Sequence, residues 1–252
     1  MSRVLSWVSA GAASAVATML SPEAVPVYCE TGAEHPDNER FLLDCEAWFG
    51  RTITRLRSEK YASTWDVWEK RRFLAGINGA VCTLELKVIP RLAFQHPHDE
   101  HVFGYTADAA DVKRSHRLRE NFPEMRVRFP LIESGLTKQA TLAMVERAGI
   151  RLPALYGLGF TNNNCIPCVK ATSPGYWATV RLNFPEQFAR MAKLARDLDV
   201  RLCRIAGERA FIDEIPADQP ITAADTPSCD MLCAIAEQSF LPDECRSREE
   251  SK

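Results

Sequence analysis

The sequence predicts an α/β protein with a mainly parallel sheet and helices on both faces of that sheet. Short apolar runs such as Val25 to Cys29 alternate along the chain with longer segments whose apolar residues recur at helical spacing. That alternation is typical of βαβ units, in which each helix packs back onto the sheet. Hydrophobic residues make up 46% of the 252 positions, which is an ordinary share for a packed globular protein.

The individual elements follow from apolar periodicity and from helix start and stop signals. In the first half we expect strands over 3–8, 25–29 and 52–56, and helices over 12–20 and from 37–38 onward. In the second half we expect strands over 101–106 and 127–132, and helices over 137–148 and 186–198. Gly149 ends the first of these later helices. Because the composition changes near Pro216, we predict one α/β domain over 1–215 and a cysteine-containing, partly disordered C-terminal tail over 216–252.

Charge and hydropathy exclude several classes of partner. The net charge of −2 gives no overall positive field toward nucleic acids or acidic membranes. The apolar stretch over 4–20 follows Arg3, but its Gly, Ala and Ser residues favour a strand, a turn and a helix over a signal peptide. No membrane span is evident, so we expect a cytoplasmic protein.

A glycine turn follows the first predicted strand. The segment Ser9-Ala10-Gly11-Ala12-Ala13-Ser14 joins that strand to a helix through small residues only. Small residues let the backbone approach an anion, and the amides and dipole at a helix start favour phosphate. A tight turn without a ligand is the alternative interpretation of the same residues.

An acidic segment follows the second predicted strand. It runs from Tyr28 to Asn38 and contains Glu30-Thr31-Gly32. Carboxylates at this place could accept hydrogen bonds from ribose hydroxyls or from an adenine amino group. The alternative is a solvated acidic loop in which Asp37 or Asn38 caps the next helix.

Taken together, these segments resemble the family of PAPS reductases and PP-loop ATP pyrophosphatases, the adenine nucleotide alpha hydrolase-like, Rossmann-like proteins. The matching blocks, in order, are the glycine turn, Glu30-Thr31-Gly32 with Pro36-Asp37-Asn38 and Phe41, Gly104-Tyr105-Thr106 with Arg114 and Arg117, Pro130-Leu131-Ile132, and 152–160. The resemblance implies that an adenine nucleotide (PAPS, adenylyl sulfate or ATP) is bound by Ser9, Gly11, Ser14, Glu30, Thr31, Gly32, Gly104, Arg114 and Arg117.

The chain departs from the ATP-cleaving members of that family in the turn itself. Ala12 and Ala13 stand where those enzymes carry Lys and Asp. Without the Asp, metal-assisted attack on the ATP α-phosphate loses an expected participant. The departure therefore favours PAPS or adenylyl sulfate as the ligand, and it also allows a site that binds without reacting.

Nine cysteines are an odd number, so metal binding, redox chemistry or buried thiols are favoured over disulfides. The spacing Cys165-x-x-Cys168 suits a tetrahedral metal ion, an iron–sulfur cluster or a redox dithiol. The resemblance to adenylyl-sulfate reductases and DNA phosphorothioation enzymes implies a 4Fe-4S cluster on Cys82, Cys165 and Cys168. The same cysteine spacing also suits a zinc ion, so spacing does not separate the two. The fourth metal ligand could be Cys233, Cys229 or Cys203, and the sequence does not choose among them.

Glu244-Cys245 resembles the C-terminal Glu-Cys-Gly segment whose thiol attacks the sulfonate in PAPS reductases, but Arg246 replaces the glycine. Cys245 is therefore a candidate catalytic nucleophile, with Cys229 as its competitor and an incidental tail cysteine as the alternative.

Three functions are consistent with the sequence. The first is a sulfonucleotide reductase-like oxidoreductase of sulfur metabolism that uses a thiol donor such as thioredoxin. The second is an ATP-dependent sulfurtransferase that thiolates a nucleic acid and carries a cysteine-ligated cluster. The third is a non-catalytic nucleotide-binding module with structural zinc.

Overall fold

The computed structural model describes residues 2–76 and 79–221. Its strands in chain order are β1 (Val4–Val8), β2 (Val25–Cys29), β3 (Thr54–Leu56), β4 (Ala75–Gly76), β5 (Gly79–Ala80), β6 (Glu100–Val102), β7 (Arg126–Arg128), β8 (Cys203–Ile205) and β9 (Glu208–Ala210). The helices of the first half are α1 (Ala12–Met19), α2 (Asp37–Phe49), α3 (Thr64–Arg71), α4 (Val81–Thr83) and α5 (Ile89–Phe94), with a π-helical turn (Leu84–Val88) between the last two. Those of the second half are α6 (Ala109–Asn121), α7 (Pro130–Glu133), α8 (Lys138–Arg147), α9 (Ala154–Gly157), α10 (Pro174–Asn183) and α11 (Pro185–Asp197), and a 3₁₀ turn (Ile212–Glu214) follows β9.

The central sheet has five strands in the order β3-β2-β1-β6-β7, and every neighbouring pair is parallel. Helices cover both of its faces. The predicted α/β class with a mainly parallel sheet is therefore confirmed.

Alternation along β1 divides the core between the two faces. Leu5 and Trp7 pack with Leu118 of α6 on one face. Val8 packs on the other face with α1 and α2, through residues such as Val16 and Phe41. Because successive side chains of a strand point to opposite faces, one short strand contributes to two apolar layers.

A third apolar cluster lies apart from both faces of the sheet. It contains Trp68 of α3, Trp177 of α10 and Met191 of α11. Ile166, Cys168 and other residues near the cysteine pair pack in the same cluster. This cluster fixes the position of the chain that follows α9.

One predicted strand was wrong in its second half. The segment expected to be extended over 127–132 forms a strand only at Arg126–Arg128, and Pro130–Glu133 is the helix α7. Proline has no N–H group for a sheet ladder, and its fixed φ angle suits the first turn of a helix. Likewise, the strand expected over 101–106 ends at Val102.

The strand order places a topological switch point between β1 and β6. The chain leaves β1 toward β2 on one side, whereas β6 pairs with β1 on the other side. The loops after these two strands thus diverge and leave a crevice at their carboxyl ends, where open α/β sheets bind ligands.

No helix within the described parts of the chain is long and apolar enough to span a membrane. The predicted tail over 216–252 lies outside the described residues from position 222 onward.

Candidate functional site

A cavity of about 320 Å³ opens at the switch point. Its wall is formed by the turn after β1, the loop after β2, the loop after β6 with the start of α6, and the segment after α9. Lys87 and the start of α8 complete it. Its size is within the range of small-molecule sites, which commonly lie at such switch points.

The turn after β1 is held together by its own serines. Ser9 N donates to Ser14 Oγ at 2.9 Å, and Ser14 Oγ donates to the Gly11 carbonyl at 2.9 Å. The left-handed residue is Ala10, with φ 56°, rather than Gly11. The N-cap residue Gly11 has no side chain to cap α1, and Ala12, Ala13 and Ser14 line the cavity, so the positive end of the helix dipole lies at its wall.

Glycine at position 104 is required by close packing. A Cβ there would lie 2.6 Å from Ser14 Cα and 2.7 Å from Ser14 N, which are backbone atoms with little freedom to move. Gly104 therefore allows the loop after β6 to lie directly against the first turn of α1. That contact brings the two sides of the switch point together.

Glu34 organises the loop after β2. Its Oε1 accepts hydrogen bonds from Thr31 N at 2.5 Å, Thr31 Oγ1 at 2.7 Å and Tyr28 Oη at 3.0 Å, and its Oε2 accepts one from Ala33 N at 3.0 Å. Burial, with the charge of Glu34 nearby, raises the pKa of Tyr28, so this phenol keeps its proton and remains a donor. The carboxylate that structures the cavity is thus Glu34, which the sequence analysis did not single out.

Glu30 and Gly32 lie elsewhere than expected. Glu30 forms ion pairs with Arg57 and Arg55, and it lines a separate, open hollow together with Gly32. Gly32 has φ 63°, and a Cβ there would meet the Ala62 carbonyl oxygen at 2.4 Å. Both residues support the loop from outside the cavity, and their assignment to the nucleotide stays a prediction.

The loop after β6 carries a second set of acidic groups. Thr106 donates from N and Oγ1 to Asp111 Oδ2 at 3.0 and 2.8 Å, and from Oγ1 to Asp108 at 3.1 Å. Asp111 pairs with Arg114 at 2.7 Å, and the Arg114 guanidinium lies 4.3 Å from the centre of the Tyr105 ring. Tyr105 and Arg114 both line the cavity. Arg117, in contrast, is exposed on α6 and does not line it.

The segment after α9 closes the cavity with amide side chains. Asn163 Nδ2 donates to the Ala10 carbonyl at 2.7 Å and to Asn38 Oδ1 at 2.8 Å. Because both partners are acceptors, the orientation of the amide is fixed by its surroundings. Lys138 Nζ donates to Asn162 Oδ1 at 2.8 Å at the same wall. The sequence analysis assigned no role to these asparagines or to Lys138.

Charged side chains of both signs line the wall of the cavity. Among the described lining residues, the cationic side chains are Lys87, Arg114 and Lys138. The acidic lining residues are Glu34, Asp108 and Asp111, and each accepts hydrogen bonds from the protein itself. The acids are therefore engaged in holding loops, while the start of α1 adds positive potential.

Cys165 lies between this cavity and a smaller one. It lines the main cavity, where its Sγ lies 2.8 Å from Thr31 Oγ1. It also lines a pocket of about 20 Å³ that includes Cys82 and Cys168. In residues 2–76 and 79–221 no group of three or more His, Cys, Asp or Glu side chains is placed to hold a metal ion. Cys203 is fully buried in β8, and Cys233 lies outside the described residues, so the metal assignment stays a prediction.

The two candidate nucleophiles, Cys229 and Cys245, also lie outside the described residues. Their assignment as catalytic residues stays a prediction of the sequence.

Comparison with known proteins identifies no family for this chain. No family model matches the chain, and no curated protein matches it. Among solved structures, the chain is similar to the crystal structure of phosphoadenylyl-sulfate (PAPS) reductase from Candida auris in a phosphate complex. The TM-score is 0.46 and the identity 11%, over 66% of this chain and 82% of that chain. A likeness at this level assigns neither a family nor a reaction to the chain.

Proposed function

We propose that the chain binds an adenine nucleotide in this cavity and acts as a PAPS reductase-like enzyme on a sulfonucleotide. One observation carries the proposal. The turn over 9–14, the loop with Thr31 and Glu34, and the start of α2 with Asn38 line the same cavity, at the switch point of a parallel sheet. Nucleotides bind at such switch points with their phosphates on the first helix.

The anionic end of the nucleotide is assigned to the start of α1. Lys138 and Arg114 line the same cavity, and helix amides with cationic side chains are the usual partners of phosphate and sulfate. The aromatic side chains of Trp7, Phe103 and Tyr105 line the side beyond β1 and β6. Apolar and aromatic walls with few polar groups suit an adenine base.

A sulfonucleotide is favoured over ATP because the carboxylates of the wall already bond to the protein itself. Ala12 and Ala13 provide no carboxylate in the turn. Both oxygens of Glu34 are engaged by the loop that it holds, and Asp111 is bonded to Thr106 and Arg114. Attack on an ATP α-phosphate depends on a cation that bridges carboxylates and phosphates. The wall offers such a cation few uncommitted oxygens.

The metal or cluster that the resemblance implies is not part of this proposal. Cys82, Cys165 and Cys168 line one small pocket, but the described residues do not bring three such ligands together to hold a metal ion. The described residues alone therefore do not fit a zinc ion or a cluster.

Release of sulfite requires a thiol from this chain and an external dithiol of the thioredoxin type.

Isothermal titration with a panel of ligands tests the proposal. We expect PAPS or adenylyl sulfate to bind more tightly than ATP, and reduced thioredoxin to release sulfite from the bound sulfonucleotide. Lys138→Gln removes one cation from the wall and should weaken sulfonucleotide binding about tenfold, because hydrogen bonds to charged groups are the strong ones. Lys193→Gln, on an exposed face of α11, is the matched control.

Two results would count against the proposal. If no adenine nucleotide binds, the cavity has another ligand. If ATP binds more tightly than either sulfonucleotide and is cleaved, the ATP-dependent sulfurtransferase is the better assignment.

A further inference from the structure

The hydroxyl group of Tyr156 lies over the start of α1, although 144 positions separate the two residues that meet there. Its Oη accepts a hydrogen bond from Ala12 N at 3.4 Å. It would lie 3.3 Å from a Cβ atom at Gly11, the residue that precedes the helix. Since Gly11 has no side chain with which to cap α1, the phenol occupies the place of a cap.

The Tyr156 hydroxyl has a proton that the described residues do not use. A phenol both accepts and donates, and here only the accepted bond from Ala12 is made within the described parts of the chain. Burial raises the pKa of Tyr156, so the proton is retained at neutral pH. Because Tyr156 lines the cavity, this O–H group is in position to donate to a ligand there.

A second, independent feature of the same wall also points to a ligand. Asn163 is only 7% exposed and lines the cavity, and its Oδ1 has no hydrogen-bond partner among the described residues. Leaving a buried polar atom without a hydrogen-bond partner is energetically unfavourable. Asn163 Oδ1 is thus a second polar group of this wall that the described residues leave unsatisfied.

We infer that Tyr156 is a ligand-binding residue that donates a hydrogen bond to an anionic oxygen of the nucleotide, its sulfonate or phosphate. Tyr156 thereby favours anionic ligands over the neutral nucleoside. The anion accepts a hydrogen bond from the phenol and is also stabilised by the positive end of α1. The methyl groups of Ala12 and Ala13 offer no competing acceptor there. This inference deepens the proposed function, on which it rests for the nucleoside part of the ligand.

The test compares Tyr156→Phe with the wild type by isothermal titration against adenylyl sulfate, AMP and adenosine. The substitution should raise the Kd of both anionic ligands about tenfold and leave that of adenosine unchanged, since it removes one bond to a charged group. Tyr61→Phe, outside the cavity, is the matched control. Equal Kd values for the wild type and Tyr156→Phe, or an equal loss for adenosine, would overturn the inference.

Inorganic sulfate separates failure of the inference from failure of the proposed function. If the wild type binds none of the three adenine ligands, the proposed function fails. Sulfate-induced thermal stabilisation that Tyr156→Phe reduces would still support the assigned role of the hydroxyl, and stabilisation that it leaves unchanged would contradict that role.

Coupling with Gly11 gives a second measurement. Gly11→Ala places a methyl group 3.3 Å from Oη and should displace the phenol, which weakens anion binding several-fold. In the Tyr156→Phe background the same change should have little further effect, because no hydroxyl remains to be displaced. Strictly additive losses would show that Tyr156 and Gly11 do not share one anion site, contrary to the inference.

Discussion

The side-chain amide of Asn163 donates a 2.7 Å hydrogen bond to the main-chain carbonyl of Ala10, across 153 positions of the sequence. The same amide group reaches Asn38 Oδ1 at the start of α2. One buried side chain thus connects the turn after β1, the beginning of α2 and the segment after α9. Ala10 has a positive φ, which alanine adopts at some energetic cost, and this bond helps to hold it there.

Replacing Asn163 with Ala should therefore disturb both the turn and the fold. Two buried acceptors lose their donor at a cost of about 1–3 kcal/mol each, and removal of the unsatisfied Asn163 Oδ1 offsets one such cost. We therefore expect the unfolding free energy to fall by roughly 1–3 kcal/mol. Urea denaturation measures this. Asn121→Ala, at the exposed end of α6, should change stability little. A loss as small as that of the control would mean that the connection is not important for stability.

The sequence predicted β1, α1 and β2 within one or two residues, because each has a local apolar pattern. It missed α6, where only Ser115 and Leu118 are buried, so no apolar stripe marks it. It also missed α10, which has buried residues all around its axis and hence no polar face. Hydrophobic periodicity identifies a helix only when it has one apolar face and one polar face. α6 lacks a marked apolar face, and α10 lacks a polar one.

The candidate site was predictable only in part, for a related reason. The turn at 9–14 and the loop near Thr31 follow neighbouring strands, so their proximity follows from the sheet. Lys138, Tyr156 and Asn163 reach the same cavity from the distant second half of the chain. Contacts over such separations leave no local pattern. Similarly, nothing in the acidic segment distinguishes Glu34, which structures the loop, from Glu30.

Glu34→Gln tests which acid holds the loop after β2. A glutamine oxygen can accept from Thr31 and Tyr28, but its NH₂ group meets the Ala33 N–H, donor against donor. We expect the unfolding free energy to fall by about 1–3 kcal/mol, and nucleotide affinity to fall with it.

Glu30→Gln is the matched comparison, since it changes a partly exposed ion pair and should alter stability by less than about 1 kcal/mol. Urea melts and ligand titrations of the two variants, side by side, measure the difference. A larger loss of nucleotide affinity in Glu30→Gln than in Glu34→Gln would support the assignment of Glu30 to the nucleotide made from the sequence.

His101 predicts how stability depends on pH. Burial, with the positive charge of Arg91 nearby, lowers the pKa of His101 from 6.5 to about 4, and its Nδ1 accepts a hydrogen bond from Trp7 Nε1. Between these two pH values the unfolded chain binds a proton that the folded chain does not. The unfolding free energy should therefore decrease as pH falls from about 6.5 to 4, by up to about 3 kcal/mol from this residue.

Urea melts between pH 7.5 and 4.5 measure that slope. His101→Gln retains an acceptor for Trp7 without the titration, so its stability should change less over this range than that of the wild type. His116→Gln removes an exposed histidine and should keep the wild-type slope. Parallel slopes for all three proteins would exclude His101 as the source of the acid sensitivity.

Gly104→Ala tests whether the two sides of the switch point must touch. A Cβ at 104 would lie 2.6 Å from Ser14 Cα, a contact that only movement of the backbone can relieve. We expect the loop after β6 to separate from α1, with a loss of about 2–3 kcal/mol in stability as for other overpacked sites. Nucleotide binding should weaken more than stability alone explains, because the same movement alters the cavity wall.

Gly157→Ala is the matched control, since a Cβ there has no heavy atom within 4 Å and the residue is helical. Calorimetric unfolding and ligand titration of both variants give the comparison, and normal nucleotide affinity in Gly104→Ala would show that the cavity does not depend on this contact.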